Sequence, residues 1–203
     1  MIIDPSSTAP ANIYKLLIGA VVPRPIAFVS TISAEGVRNL APFSFFTVAS
    51  ANPPVLCFTT SFREPRKDTL VNVRATKEFV VNIVSESIAE KMNLTAGEYP
   101  YGVDEFEVSG LTPAPADLVR PSRVKESLVN MECTLLNTID VSDKPLGGTL
   151  ILGTVVRFHI DDSIVEDFRI DPDKLLGVGR MGGNYYSRTR DRFELIRPAV
   201  NKK

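Results

Sequence analysis

What most limits the architecture of this chain is that strand-like runs follow one another with few helical segments between them. The stretches 25–33 (PIAFVSTIS), 37–50 (VRNLAPFSFFTVAS), 54–62 (PVLCFTTSF), 78–85 (EFVVNIVS), 127–141 (SLVNMECTLLNTIDV), 148–162 (GTLILGTVVRFHIDD) and 192–198 (RFELIRP) are rich in β-branched and aromatic residues. Turn residues divide them. AEG at 34–36 and KPLGG at 144–148 read as hairpin connections, and most of the 15 prolines fall between the runs. A doubly wound layer needs a helix after nearly every strand, so an antiparallel β-barrel is expected instead.

The helical signals are short. PANIYKLLIG reads as a helix ending at Gly19. DTLVNVRAT reads as a helix capped by Asp68, with Leu70, Val71 and Val73 on its apolar face. A third helix is expected near Ser87, where Glu90 would complete a capping box and Gly97 would supply the stop. A fourth fits DPDKLLG, 171–177. Residues 96–127 form the longest weakly patterned piece and are expected to pack over the barrel and cover a site. With 203 residues and neither repeat nor linker, one domain over 1–203 is expected.

Composition removes several classes of function. Hydrophobic residues at 44% and charged residues at 23% match a soluble globular domain and argue against general disorder. A net charge of -1, with no basic stretch apart from acidic neighbours, disfavours nucleic acid and anionic membrane as partners. The apolar run 16–22 is too short to span a bilayer, and MIIDPSSTAP lacks the basic start of a secretion signal. A cytoplasmic chain is therefore expected. Cys57 and Cys133, each in a strand-like run, read as buried free thiols. A single histidine, His159, excludes a multi-histidine metal site.

Three motifs invite a functional reading. GVGRMG, 177–182, has the spacing of a dinucleotide-binding turn but follows a short helical piece, with no room beyond it for the second strand of a βαβ unit. A close-packed loop holding Arg180, Tyr185 and Tyr186 is expected there. SFREPRKDTLVN, 61–72, places Arg63, Arg66 and Lys67 just before a helix start, where free N–H groups and a hydroxyl could complete a phosphate seat. Plain capping by Asp68 among solvated arginines explains the same letters. APFSFF, 41–46, breaks the period-two alternation, as a kinked strand edge would. Pro42, Phe43, Ser44 and Phe45 could then offer apolar faces and polar rims to a planar ring; a core strand with one bonded hydroxyl is the alternative.

In combination, residues 21–59, KDTLVN (67–72), EFVVNIV (78–84) and GRMGGNYY (179–186) resemble the flavin reductase-like family of FMN-binding split-barrel proteins, nearest its flavoredoxin-type branch. The resemblance implies a mainly β, six-stranded Greek-key split β-barrel, usually a homodimer, with FMN near the subunit interface. It implies that Ser30, Thr31, Asn39, Pro42, Ser44 and Phe45 line the flavin ring. Ser61, Arg63, Lys67 and Thr69 would hold the phosphate, with Asp68 capping the helix beside it; Arg24 and residues 182–186 would lie nearby. The implied activity is that of an NAD(P)H:flavin oxidoreductase passing electrons or reduced flavin to a monooxygenase or another redox partner, with NADH or NADPH as substrate. The alternative is a non-catalytic FMN electron carrier. One departure stands out: short-chain members often carry a histidine a few residues before the glycine of the G-x-V strand, and the corresponding place here falls near Gly148, while His159 lies beyond that glycine.

Overall fold

The computed structural model describes residues 1–199. Helix α1 (Pro10–Ala20) has proline in its first turn, where the missing N–H is no loss, and none of its residues is buried. Strands β1 (Ala27–Ile32) and β2 (Arg38–Phe43) form a hairpin through 34–36, and β3 (Phe46–Ala51) and β4 (Pro54–Ser61) form a second. Then come α2 (Asp68–Thr76), β5 (Glu78–Ile83), α3 (Ala89–Leu94), α4 (Glu105–Ser109) and the two-residue strands β6 (Pro113–Ala114) and β7 (Arg123–Val124). Two long strands, β8 (Val129–Asp140) and β9 (Gly148–Ile160), are joined through KPLGG. A small ribbon, β10 (Val165–Glu166) and β11 (Arg169–Ile170), precedes α5 (Pro172–Leu175) and the last hairpin, β12 (Val178–Arg180) with β13 (Tyr186–Arg188).

The main sheet runs β2-β1-β5-β8-β9-β4-β3, with every pair antiparallel. Its two edge strands come from one stretch of sequence. The run 37–50 is broken at Ser44–Phe45, so that β2 pairs with β1 and β3 pairs with β4. At the break the Thr59 N–H donates to the Phe45 carbonyl at 2.9 Å. Counted as one broken strand, this stretch makes a barrel of six. Pro42 is tolerated because an edge strand can lack a donor. Register shifts at Glu132/Cys133 and Leu135/Asn137 bend the long β8–β9 pair, as a closed sheet requires.

Inward-facing residues fill the barrel: Val29, Phe58, Phe79, Val81, Cys133 and Ile151 are buried together, with Leu70 and Val73 of α2. The Phe58 ring meets Phe43 at 5.1 Å and Phe79 at 5.5 Å between centroids. Gly153 is required here, since a Cβ would lie 2.2 Å from Phe79 Cζ. On the outer face of β1 and β2, Phe28 and Leu40 pack with Met92 of α3 and Phe106 of α4. The 96–127 excursion covers this face. It is anchored where Asn82 accepts from the Val124 N–H at 2.9 Å and where fully buried Glu132 accepts from the Asp117 and Leu118 N–H groups at 2.8 and 2.7 Å. His159 Nε2 lies 2.5 Å from Glu132 Oε1 and is a strand residue, as expected.

Several local expectations are corrected. Helix α2 starts one residue earlier than capping by Asp68 requires: Lys67 is the N-cap, Asp68 is the first helical residue, and no side chain caps the end. Val71 is exposed, so the apolar face narrows to Leu70 and Val73. No capping box forms at Ser87 and Glu90, because a 3-10 turn over Glu86–Ile88 places Ser87 within the turn and makes Ile88 the N-cap of α3. Helix α1 runs one residue past Gly19. Residues 192–198 form no strand: both edges of the main sheet are supplied by 37–50, and Phe193, Leu195 and Ile196 remain exposed. Cys133 is buried and its thiol is pushed up by desolvation, but Cys57 is only half-buried, because alternation turns it away from the interior that takes Leu56 and Phe58. GVGRMG is strand and turn, with β12 paired to β13 and no helix after it, so the dinucleotide-turn geometry is absent.

Candidate functional site

The break between β2 and β3 opens a groove. Strict period two through PFSFF would put Phe46 on the same face as Ser44 and opposite Phe43 and Phe45, so it cannot bury all three phenylalanines and leave Ser44 out. The chain therefore turns Phe43 inward, leaves Phe45 about half exposed and sets Pro42 and Ser44 on the wall. The resulting cavity of about 430 Å³ includes Pro42, Ser44, Phe45, Ser61 and Lys67 among its lining. That volume lies in the usual range for small-molecule sites. Sequence reasoning did not single out Tyr14 of α1, Thr59 of β4, or Val141 and Leu146 of the β8–β9 end, which also line it. The letters KPLGG signal a connection and give no sign that its glycines form a rim. A Cβ on Gly148 would lie 2.9 Å from the Thr60 carbonyl, so glycine keeps this rim close against β4.

Beside the groove and joined to it at Lys67 is a narrow recess of about 20 Å³, whose lining includes Asn39, Arg63, Lys67, Asp68, Thr69 and Glu105. It lies at the start of α2, where the Asp68 and Thr69 N–H groups have no protein acceptor among the described residues. Asn39 Nδ2 donates to Thr69 Oγ1 and to Thr31 Oγ1, each at 3.0 Å, and Asn72 Nδ2 donates to Thr31 Oγ1 at 3.1 Å. With its oxygen occupied by Asn39, Thr69 keeps its hydroxyl proton for an incoming acceptor.

Two cations stand over this helix start. Burial, reinforced by nearby Arg63, pushes the Lys67 ammonium below its ordinary range, and Lys67 makes no ion pair among the described residues. Arg63 approaches exposed Glu98 at 3.8 Å, yet its Nε is buried without a partner. Unclaimed backbone donors, a prepared hydroxyl, an orphaned guanidinium nitrogen and a desolvated ammonium form a donor set suited to a compact anion. Glu105 forms the opposing wall. It accepts from the Leu40 N–H at 2.9 Å, and its carboxyl is pushed up to about 7, mainly by burial.

The expected residues therefore divide three ways. Pro42, Ser44, Phe45 and Ser61 line the groove, Asn39, Arg63, Asp68 and Thr69 line the recess, and Lys67 joins the two. Thr31 lies beneath the recess, bonded to Asn39 and Asn72. The Ser30 side chain lies on the opposite face of β1 and donates to the Ser122 carbonyl of the excursion, outside both cavities.

A split barrel with a groove beside a cluster of unclaimed donors is a ligand-binding architecture, and comparison with known proteins specifies the family. The chain belongs to the flavin reductase like domain family, which matches residues 18–176. A curated relative from Aquifex aeolicus is 46% identical over 178 residues, covering 86% of this chain and 89% of that protein. The crystal structure of nitrilotriacetate monooxygenase component B from Bacillus cereus superposes with a TM-score of 0.92 at 37% identity, covering 96% of this chain and 98% of that one. Pseudomonas fluorescens 2-nitrobenzoate 2-nitroreductase NbaA gives 0.90 at 31% identity, covering 100% and 99%. Family and fold together give this protein a flavin-related redox role.

Proposed function

We propose that this chain binds FMN and acts as an NAD(P)H:flavin oxidoreductase, delivering electrons or reduced flavin to a partner such as a monooxygenase. The observation that carries the reading is that Lys67 lines both the groove and the recess, together with the orphaned Arg63 Nε. Arg63, Lys67, Thr69 and the first N–H groups of α2 would hold the phosphate. Pro42, Ser44 and Phe45 would hold the ring, with Ser61 at its side. A flavin bound there supplies hydride acceptance from nicotinamide and onward electron transfer. The protein residues fix position and exclude water from one face, and no general acid or base is needed from the chain.

The reading also takes the protein as a homodimer. Val48, Leu136, Ile139 and Phe158 on β3, β8 and β9 are exposed and leave apolar surface for a second copy to cover. Cytoplasmic residence is part of the same proposal; no helix among the described residues is long and apolar enough to cross a membrane.

A non-catalytic FMN carrier is favoured by one observation. The sole histidine is held against buried Glu132, outside the groove, and Gly148 stands on the rim where short-chain members often place a histidine. Anaerobic addition of NADH or NADPH to the flavin-loaded protein separates the two readings. Rapid bleaching of the flavin bands is expected for the reductase, and an unchanged spectrum would leave the carrier.

A further inference from the structure

A second cavity, of about 190 Å³, opens on the other side of Ser44 and shares Tyr14, Pro42 and Ser44 with the groove. Its remaining wall includes Arg24, Arg180 and Tyr186. The two arginines face each other across a single antiparallel bridge: Arg24 N donates to the Arg180 carbonyl at 3.0 Å, and Arg180 N to the Arg24 carbonyl at 2.8 Å. Like charges directly opposite on paired strands destabilise the pair. Most other arginines of the chain rest on a carboxylate, from Arg38 on Asp104 to Arg192 on Asp173. Arg24 and Arg180 have none within ion-pair distance among the described residues.

Arg24 is only 6% exposed. Its Nη1 donates to the Ile18 and Val21 carbonyls at 2.8 and 2.5 Å and its Nη2 to the Met181 carbonyl at 2.9 Å, while its Nε is buried without a partner. Carbonyls at the end of α1 relieve part of the charge but provide no counter-ion. Arg180 is held by the Tyr186 hydroxyl and the Gly183 carbonyl, with its guanidinium 4.6 Å from the Tyr186 ring centroid. Such holding contacts orient a cation without neutralising it. Two oriented guanidinium groups, one carrying an orphaned buried N–H, thus line a cavity that opens toward the ring groove.

We infer that the Arg24–Arg180 cavity is a second anion site, which takes the phosphate or carboxylate of the electron-donating or electron-accepting substrate and so lays that substrate's flat body along the groove at Ser44 and Phe45. The inference rests on the flavin reading and extends it to the substrate that must meet the ring. It separates the two negative charges, with the cofactor's at Arg63 and Lys67 and the substrate's at Arg24 and Arg180. Phosphate would mark a dinucleotide and carboxylate an aromatic acid.

The test titrates pyrophosphate and benzoate separately into the purified protein, following the arginine Nε–Hε signals by NMR, and measures FMN affinity in parallel by flavin fluorescence. At least one of the two anions should bind saturably and shift the Arg24 and Arg180 signals, and whichever binds more tightly identifies the source of the charge. Arg180→Ala should weaken that anion by about ten-fold or more while FMN affinity stays within about two-fold. Arg180 carries the test because truncating buried Arg24 endangers folding. Absence of binding by both anions, or unchanged binding in Arg180→Ala, would overturn the inference. So would a matching loss of FMN affinity, which would merge this cavity with the cofactor seat. Protein that binds the anion but no FMN would sink the flavin reading and leave this site standing; protein that binds FMN but neither anion would sink this site alone.

Discussion

Replacing Glu105 with glutamine removes one buried charge from the recess while keeping an acceptor for the Leu40 N–H. Glu105 is 7% exposed, and its carboxyl is raised to about 7 by burial, with the Leu40 bond opposing and Asp68 and Asp104 adding to the rise. In the unfolded chain the same group titrates at about 4.3. Between those values the folded protein holds a proton that the unfolded chain has released, so stability falls as pH rises across this window. The loss is complete just above pH 7 and absent below about pH 4. A ten-fold difference in proton affinity between the folded and unfolded chain is worth about 1.4 kcal/mol, and after allowance for the water that reaches the carboxyl the expected cost at pH 8 is about 2–3 kcal/mol. Glu105→Gln should therefore unfold at higher urea than the parent at pH 8 and at nearly the same urea at pH 4. Far-UV circular dichroism suits the assay, since the chain has no tryptophan to report by fluorescence. An equal difference at both pH values, or a destabilised variant at pH 8, would refute the assignment of a buried, charge-penalised carboxyl.

Further outcomes follow from the packing and the anion seat. Lys67→Ala combined with Thr69→Ala should weaken FMN binding by several kcal/mol, about 1.5–3 for each hydrogen bond to the charged phosphate that is removed, as read by fluorescence titration; unchanged affinity would remove the phosphate assignment. Gly153→Ala should cost about 1–3 kcal/mol in chemical denaturation, because the new methyl meets Phe79 inside the barrel. Glu132→Ala should cost about 3–5 kcal/mol by the same measurement and expose 115–124 to proteolysis, since it strands the Asp117 and Leu118 N–H groups and leaves His159 without its partner.

The barrel was legible because β-branched and aromatic runs alternate with turn residues at short intervals, and the hairpins at 34–36 and 144–148 carry their own turn chemistry. Closure was not, since no local signal says that 37–50 will supply both edges of one sheet. Its kink at Ser44 was visible only as broken alternation. That Arg63, Lys67 and Thr69 gather at the start of α2 was legible in outline from their spacing. The cap was misplaced because aspartate before a helical pattern favours capping, while the tertiary setting moved the helix start to make Lys67 the N-cap. Tyr14, the Gly148 rim and Glu105 went unread because they reach the site from distant parts of the chain, and contacts of that kind leave no spacing in the sequence.

Lys67 lines both the recess and the groove, and the proposed function requires both to hold one ligand, the recess its phosphate and the groove its ring. Equilibrium titration of flavin-free protein with FMN and with riboflavin, which has the ring but no phosphate, tests it most directly. FMN should bind and riboflavin should bind at least about 100-fold more weakly, the equivalent of two charge-assisted hydrogen bonds. Equal affinity for the two, or no binding of FMN, would contradict the account.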